Sequence, residues 1–390
     1  MSDIGKRRLR LGMIGGGGIM TAHLTGARLD GQYELVAGAF SSDPARSKRM
    51  GETLYLDPAR AYGSWEEMLD RESALPAAAR IDAVSIITPN HLHFGPAKTA
   101  LEKGFHVILD KPLTLTMREA LDLRDAVRKS GRILAVTHAY ASCAMVKAAR
   151  DMIRHGMLGT VRKVVVEYPQ GWLHRLAESE KANKAAVWRT DPALAGTGCI
   201  GDIGTHAAQL SETVVGRPVT AVAADVAAVV PGRKTDDDFT ALARWGDDVR
   251  GSIQASQIST GESNGLRIRV YGDKAGLEWN QLDVDNLTLM FQDQPWQTWC
   301  RNAPYVNAVS PAAAQVSRVY ANHTEGYIEE FANIYLNVSR AIRAVEAGRT
   351  PNDLELDFPC IDDGVRGMAF IEAVLESARN NSTWTAVKQY

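Results

Sequence analysis

The sequence predicts an α/β protein in two parts: a doubly wound parallel sheet, then a mostly antiparallel sheet backed by helices. Three observations carry this. Strand and helix patterns alternate up to about residue 140, which implies a parallel sheet with helices on both faces. After Tyr140 long strand-like runs follow one another, with Gly246-Asp247-Asp248 and Gly272-Asp273-Lys274 as hairpin turns. The length of 390 residues, 45% of them hydrophobic and 23% charged, suits two globular domains.

The elements follow in order. Leu9–Ile14 reads as a strand, Ile19–Leu29 as a helix and Tyr33–Phe40 as a strand. Ile81–Thr88, His106–Asp110 and Ile133–His138 are short, apolar and strand-like. Thr116-Met-Arg-Glu119 is a capping box that starts a helix. Ala120, Leu123 and Val127 form its apolar face, and Ser130-Gly131 ends it. A further helix runs to about His155 and stops at Gly156-Met-Leu-Gly159. Strands are expected over Val161–Tyr168, Val219–Val230, Phe239–Trp245, Gly251–Ile258 and Leu266–Tyr271. Helices near 325–347 and 363–379 close the chain.

Composition removes several function classes. Lys+Arg is 44 and Asp+Glu is 46, a net charge of -2, so no basic excess points to nucleic acid. No apolar run reaches the roughly 18 residues of a membrane span. Cys143, Cys199, Cys300 and Cys360 are far apart with no C-x-x-C pair. A zinc site or a disulfide framework is therefore not expected, and a reducing, cytoplasmic location is. Lys6-Arg7-Arg8 has the look of a twin-arginine signal but lacks a small-residue cleavage site, and is read as a charged lead-in to the first strand.

Gly15-Gly16-Gly17-Gly18-Ile19-Met20 lies between a strand and a helix and fits G-x-G-x-x-(G/A) except at its last place. In that setting Gly15 permits a tight turn and Gly17 lets a pyrophosphate approach the backbone. The helix N-terminus, from Gly18 and Ile19 onward, offers free N–H groups and a positive dipole end. Met20 in place of a small residue implies looser helix–strand packing. The second strand runs into Ser41-Ser42 rather than the usual ribose-binding acid. Asp43 before Pro44 reads as an N-cap. Ser41 and Ser42 with Arg46 suit a 2′-phosphate, so the balance between NAD and NADP tilts slightly to NADP. Otherwise Arg46 is a solvated helix residue.

Thr88-Pro89-Asn90-His91-Leu92-His93 and Asp110-Lys111-Pro112 both follow parallel strands at their carboxyl ends. Open α/β sheets bind ligands at that edge. A lysine there is explained better by a crevice than by packing.

With these residues the chain resembles the Gfo/Idh/MocA family of NAD(P)-dependent oxidoreductases, which includes inositol and sugar dehydrogenases. The resemblance covers nearly the whole chain. It begins with the glycine turn, T-P-N-x-x-H and a D-K-P similar to the family's E-K-P. It continues through Trp188-Arg189-x-Asp191-Pro192, Gly198-Cys-Ile-Gly-Asp202-Ile-Gly-Thr-His206, and residues 326–335 with His323 before them. The resemblance implies a Rossmann domain over 1–140 and a substrate-binding and oligomerisation domain with a large open sheet over 141–390. It also implies hydride transfer between a nicotinamide and a sugar or polyol carbon, and a homodimer or homotetramer built through the open sheet. The departures are Asp110 for glutamate, Met20, and the missing ribose acid.

Asp202 and His206 can be read on their own terms. Four apart at the start of a helix, they share a face. Histidine can remove an alcohol's proton as hydride leaves carbon, and a carboxylate one turn away can fix its tautomer or stabilise the imidazolium. A cationic Lys111 can polarise the developing oxygen charge and relay its proton. The family's catalytic triad matches Lys111, Asp202 and His206, and needs no metal. Without the resemblance, Asp202 and His206 read equally well as a surface i,i+4 pair.

Asn90 and His93, with Thr88 and Pro89, are expected on the nicotinamide side, unless His93 and Asn90 serve as cap or core. Trp188 and Arg189 are placed by the nicotinamide or substrate. Tyr168, Gln170 and Trp172 face the sugar or an edge-strand core, and His323 either reaches the pocket or does not. Asp236-Asp237-Asp238 reads as a solvated loop. The resulting function is an NAD(P)-dependent sugar or polyol dehydrogenase. Its rivals are a glycosidase that oxidises its sugar transiently with tightly held NAD, a non-catalytic nucleotide sensor, and a metal-dependent alcohol dehydrogenase.

Overall fold

Five parallel strands build the first sheet: β1 Leu9–Ile14, β2 Tyr33–Ala39, β3 Ala83–Ile86, β4 His106–Leu109 and β5 Leu134–Val136, in the order β2-β1-β3-β4-β5. The computed structural model describes residues 7–180 and 183–390, so Lys6 of the basic lead-in lies outside the described residues. Arg7 is described, and its guanidinium pairs with Asp82 at 2.6 Å. All of β1, β3, β4 and β5 is buried, as expected for strands covered on both faces. The order reverses between β1 and β3, so the turns after those strands flank a topological switch point.

Contacts divide the chain into two units. The first holds the described residues up to Thr114, Arg118–Ala139 and Tyr327–Asp362. The second holds Leu115–Met117, Tyr140–Gly326 and Asp363–Tyr390. The sequence reading assigned everything after residue 140 to the second domain, and here the structure differs. The helix Tyr327–Glu346 buries Ile334, Tyr335, Val338, Ala341 and Ile342 with Leu9, Leu11, Ala83 and Ile108 of the first sheet. That amphipathic face is visible in the sequence, but not which sheet it covers.

The second unit contains a nine-stranded sheet. Its strands are β6 Val161–Pro169, β7 Ala221–Ala227, β8 Asp238–Trp245, β9 Val249–Ser256, β10 Arg267–Gly272, β11 Gly276–Asn280, β12 Asn286–Met290, β13 Gln297–Cys300 and β14 Thr385–Ala386. The order is β13-β12-β11-β10-β6-β9-β8-β7-β14, and only β6 and β9 pair in parallel. Alternation sets the faces. Val164, Val166 and Tyr168 of β6, and Phe239, Ala241, Ala243 and Trp245 of β8, are buried. Leu242, between two of these, is 57% exposed on the other face. There Glu167 pairs with Arg267 and Arg269, and Arg267 with Glu278. Among the described residues no helix is long and apolar enough to cross a membrane.

One buried group in the first unit sits at odds with its surroundings. Glu330, in the first turn of the Tyr327–Glu346 helix, is 2% exposed, and neither carboxylate oxygen has a hydrogen-bond partner among the described residues. Burial, with the neighbouring Glu329 charge, pushes its pKa up to about 8. The unfolded chain releases this proton near the ordinary glutamate value, so stability falls as pH rises towards 8. Glu330→Gln should therefore gain on the wild type with rising pH, by on the order of 2 kcal/mol or more between pH 5.5 and 8. Parallel melting curves at the two pH values check this, and a constant difference would refute it.

Candidate functional site

The glycine turn leaves β1 and enters the helix Met20–Leu29. Gly15 has φ 103°, and a Cβ there would meet the Ile87 carbonyl at 3.0 Å. A Cβ on Gly16 would lie 2.6 Å from the Phe40 carbonyl oxygen. A Cβ on Gly17 or Gly18 would meet nothing within 4 Å. The first two glycines close the turn, and the next two leave open space over it. The N–H groups of Gly17, Gly18 and Ile19 find no protein acceptor among the described residues. Donors at a helix N-terminus under open space fit the phosphates of a dinucleotide. Met20 is partly buried against Met13, Leu24, Phe40, Leu56 and Ile87, so its long side chain fills the space a small residue would leave.

At the end of β2, Asp43 accepts the N–H groups of Ala45 and Arg46 at 2.9 and 3.2 Å. Its carboxylate caps the helix Pro44–Thr53. Ser41 Oγ accepts the Asp43 N–H, while Ser42 and Arg46 are exposed.

The turn after β3 is locked from within. His93 is fully buried, its Nδ1 2.8 Å from the Pro112 carbonyl and its Nε2 2.9 Å from the Thr88 carbonyl. Burial holds its pKa below the ordinary imidazole value. The sequence reading leaves this ring either on the nicotinamide side or in a cap or core role. Both ring nitrogens face main-chain carbonyls, so His93 ties Thr88–Asn90 to the Asp110-Lys111-Pro112 turn. Thr88 Oγ1 donates to the Leu92 carbonyl, and Asn90 is buried. Asp110 accepts the Lys111 N–H at 2.9 Å and the Thr137 hydroxyl at 2.8 Å. Burial pushes the Asp110 carboxyl up, but His23, Lys111, His93 and Thr137 outweigh it and hold its pKa below the ordinary value. Behind this turn, His23 Nδ1 lies 3.0 Å from the Tyr335 hydroxyl, which lies 2.8 Å from Ser85 Oγ. Burial lowers the His23 pKa to about 4, so the ring is neutral. Sequence reading missed this cluster, because its members come from three distant segments.

In the second unit, Ile200–Gly204 forms a π-type turn that leads into the helix Thr205–Val215, and the Thr205 N–H reaches back to the Ile200 carbonyl. Such turns recur at functional sites. The Asp236 carboxylate accepts the N–H groups of Gly198 and Ile200, both at 2.7 Å. A Cβ on Gly198 would lie 2.0 Å from the Asp236 carbonyl oxygen, so only glycine permits this approach. The turn carries Asp202, whose Oδ1 is 3.3 Å from Arg189 Nε and whose Oδ2 accepts the Gln257 amide at 2.8 Å. The Arg189 guanidinium lies over the Trp188 ring at 4.3 Å. Arg189 and Trp188 were expected by the cofactor or substrate; here Arg189 engages Asp202.

His206, on the helix that follows, is buried against two aromatic rings. Tyr140 meets it edge to face at 4.9 Å and Tyr168 at 6.3 Å. The Tyr168 hydroxyl donates to Asn264 Oδ1 at 2.6 Å, and Asn264 Nδ2 donates to Tyr140 at 3.1 Å. The 2.7 Å contact between the tyrosine hydroxyls must then run from Tyr140 to Tyr168. The cycle is closed. Gln170 Nε2 donates to Asn264 Oδ1, and Trp172 Nε1 donates to Gln170 Oε1. Tyr168 thus sits on the central strand β6, not on an edge. Gln170 and Trp172 continue the same polar chain beyond it. His323 lies on an exposed segment, its Nδ1 3.4 Å from the Ala321 carbonyl and its ring edge-on to Tyr320.

The three acids at 236–238 are not a solvated loop. Asp237 is fully buried and accepts the N–H groups of Val229 and Val230 at 2.7 and 3.0 Å. This ends β7 at Ala227, short of the expected Val230. Arg233, also buried, donates to Asp237, to both Glu178 oxygens and to the carbonyls of Leu173 and Arg175. It pins the loop that follows Trp172. Tyr140, Gln257 and Asn264 were also missed. They lie in no motif: Tyr140 comes from the turn before the helix Ala144–Arg154, Gln257 follows β9, and Asn264 precedes β10.

The arrangement offers a buried imidazole, a carboxylate on the preceding turn, and a wall of hydroxyl, amide and aromatic groups. Comparison with known proteins places the chain in a family. Residues 9–138 match the oxidoreductase family with an NAD-binding Rossmann fold, and residues 146–278 match the GFO/IDH/MocA C-terminal domain. The chain is 35% identical over 387 residues to the uncharacterized oxidoreductase YfiI of Bacillus subtilis, covering 97% of each. It is 42% identical to an oxidoreductase from Sinorhizobium meliloti of solved structure, with a TM-score of 0.87 and 97% and 99% of the two chains covered. It is 33% identical to an inositol dehydrogenase homolog from Azotobacter vinelandii solved with NAD+, with a TM-score of 0.92 and 97% of each chain covered.

Arg233→Ala would leave Glu178 and Asp237 without their buried cation. Its expected cost is roughly 3–5 kcal/mol in urea denaturation. A loss below about 1 kcal/mol would mean that this cluster does not hold the loop.

Proposed function

The chain belongs to the Gfo/Idh/MocA family of oxidoreductases, and we propose that it is an NAD(P)-dependent dehydrogenase of a sugar, sugar derivative or cyclic polyol. The observation that carries the reading is the pairing of a carboxylate on a π-type turn with a buried histidine on the next helix, beside the Tyr140–Tyr168–Asn264 cycle. The Azotobacter inositol dehydrogenase homolog supports the polyol end of the range.

In this reading a bound nicotinamide would supply the hydride acceptor for the alcohol carbon, or the donor for the ketone. Gly15, Gly17, Gly18 and Ile19 hold the phosphates. Ser41, Ser42 and Arg46 meet the adenosine ribose, and Thr88, Pro89, Asn90 and Asp110 frame the nicotinamide end. His93 serves that end through the loop it ties down. His206 takes the hydroxyl proton, because imidazole titrates near neutral pH. Asp202 stabilises the imidazolium. Lys111, as a cation, stabilises charge on the substrate oxygen. Tyr168, Gln170 and Trp172, joined by Tyr140 and Asn264, recognise the sugar's hydroxyls and C–H faces.

The ribose end supports NADP slightly, since the Asp43 carboxylate is occupied as a helix cap. The Azotobacter homolog was solved with NAD+, so both cofactors belong in the test. The sheet face that carries the exposed Leu242 and the Glu167–Arg267 ladder suits assembly as a homodimer or homotetramer. A cytoplasmic location is part of the proposal.

The test is a panel of sugars, sugar acids, anhydrosugars and inositols, run with NAD and with NADP while reduced-nicotinamide absorbance is followed. A rise with one class is expected. No rise, with cofactor carried through purification, would replace the dehydrogenase with a closed-cycle glycosidase. On the active substrate Lys111→Ala should lose at least about 100-fold in kcat, while cofactor affinity stays within a few-fold. Unchanged turnover would remove Lys111 from the reaction.

A further inference from the structure

Asp202 is held from two directions by residues of adjoining strands. Asp236, just before β8, caps the turn on which Asp202 sits. Gln257, just after β9, reaches its carboxylate. β8 and β9 pair antiparallel with Asp238 opposite Ser256, so these two contacts come from one end of one hairpin.

We propose that Gln257 is a positioning residue for the reaction, its side-chain amide holding Asp202 as an oriented anion. The residue is 1% exposed. Its own main chain is fixed on both sides. The Gln257 N–H donates to the Asp237 carbonyl at 2.8 Å, and its carbonyl accepts the Leu173 N–H at 3.0 Å. Asp237 is in turn held by Val229, Val230 and Arg233. The amide therefore starts from a rigid place, and Nε2 meets Asp202 Oδ2 at 2.8 Å.

The chemistry of that contact is one-sided. The Nε2 group only donates, so it is satisfied by an accepting oxygen and opposed by a protonated one. The other oxygen, Oδ1, also faces a donor, Arg189 Nε at 3.3 Å. That ion pair is partly exposed, with the two side chains 29% and 16% accessible, and is screened accordingly. The amide meets the carboxylate at the shorter distance and from a fixed main chain. An anion fixed here favours a positive charge on the histidine one turn on, when that ring takes a proton from substrate. The assignment rests on reading Asp202 and His206 as the acid–base site.

Gln257→Glu keeps the shape and replaces the donor with a second carboxylate, so the two acids must share a proton. Gln257→Leu removes the donor and adds no charge. The measurement is the titration of Asp202 by carboxyl 13C NMR in protein labelled at aspartate, with Asp202→Asn identifying the resonance. The midpoint should rise by about 1 pH unit in Gln257→Leu and by about 2 or more in Gln257→Glu. The acid limb of the kcat/KM profile, which reports His206 as the base, should also move from its wild-type position in both variants, because Asp202 sets the charge beside that ring, a response that a purely structural glutamine would not give. A midpoint that moves by less than about 0.3 in both variants overturns the proposal. A midpoint that moves while the kcat/KM profile stays put leaves the bond between Gln257 and Asp202 standing, and removes Asp202 from the reaction instead.

Discussion

Parallel pairing is the constraint on which the first unit depends. Strands that all run one way deliver every C-terminal turn to the same edge of the sheet. The glycine turn, the Thr88–His93 turn and the Asp110-Lys111-Pro112 turn are therefore neighbours by topology, although they lie far apart in the chain. The strands that place them are buried throughout, so each turn starts from a fixed point. Local chemistry then differentiates them. The glycine turn is open because it lacks side chains. The next two are closed against each other by one buried histidine that bonds only to main chain.

The second unit solves a different problem with different means. Antiparallel strands alternate their side chains, so one face of the nine-stranded sheet packs against helices while the other carries the Glu167–Arg267–Glu278 ladder and the exposed Leu242. The functional groups gather at one end of the covered face. Here buried acids act as acceptors for main-chain N–H groups: Asp236 for the turn that carries Asp202, and Asp237 for the end of β7. A buried carboxylate is costly unless its lone pairs are filled, and these are. The cost is offset by a turn and a loop held in place beside His206.

Most of the architecture was legible in the sequence. The alternation of strands and helices, the capping box at Thr116, and the hairpin turns at Gly246 and Gly272 each describe a local event. Such events depend on a few adjacent residues, and the structure follows them. What failed were readings that treated a local pattern as complete. Three successive acids suggest solvent, yet two of them are consumed by the backbone. The helix from Tyr327 has a plain apolar face, but a face does not name its partner.

The sequence by itself placed the glycine turn between a strand and a helix, and its resemblance to the family marked Lys111, Asp202 and His206 as the candidates for moving a proton. Only the tertiary structure decided what holds them. Gln257 on Asp202 and Asp236 on its turn arise from the register of β8 and β9, and Tyr140 and Asn264 meet Tyr168 from a turn and a loop outside that hairpin. Register is set by the packing of whole faces, and no short window of sequence contains it.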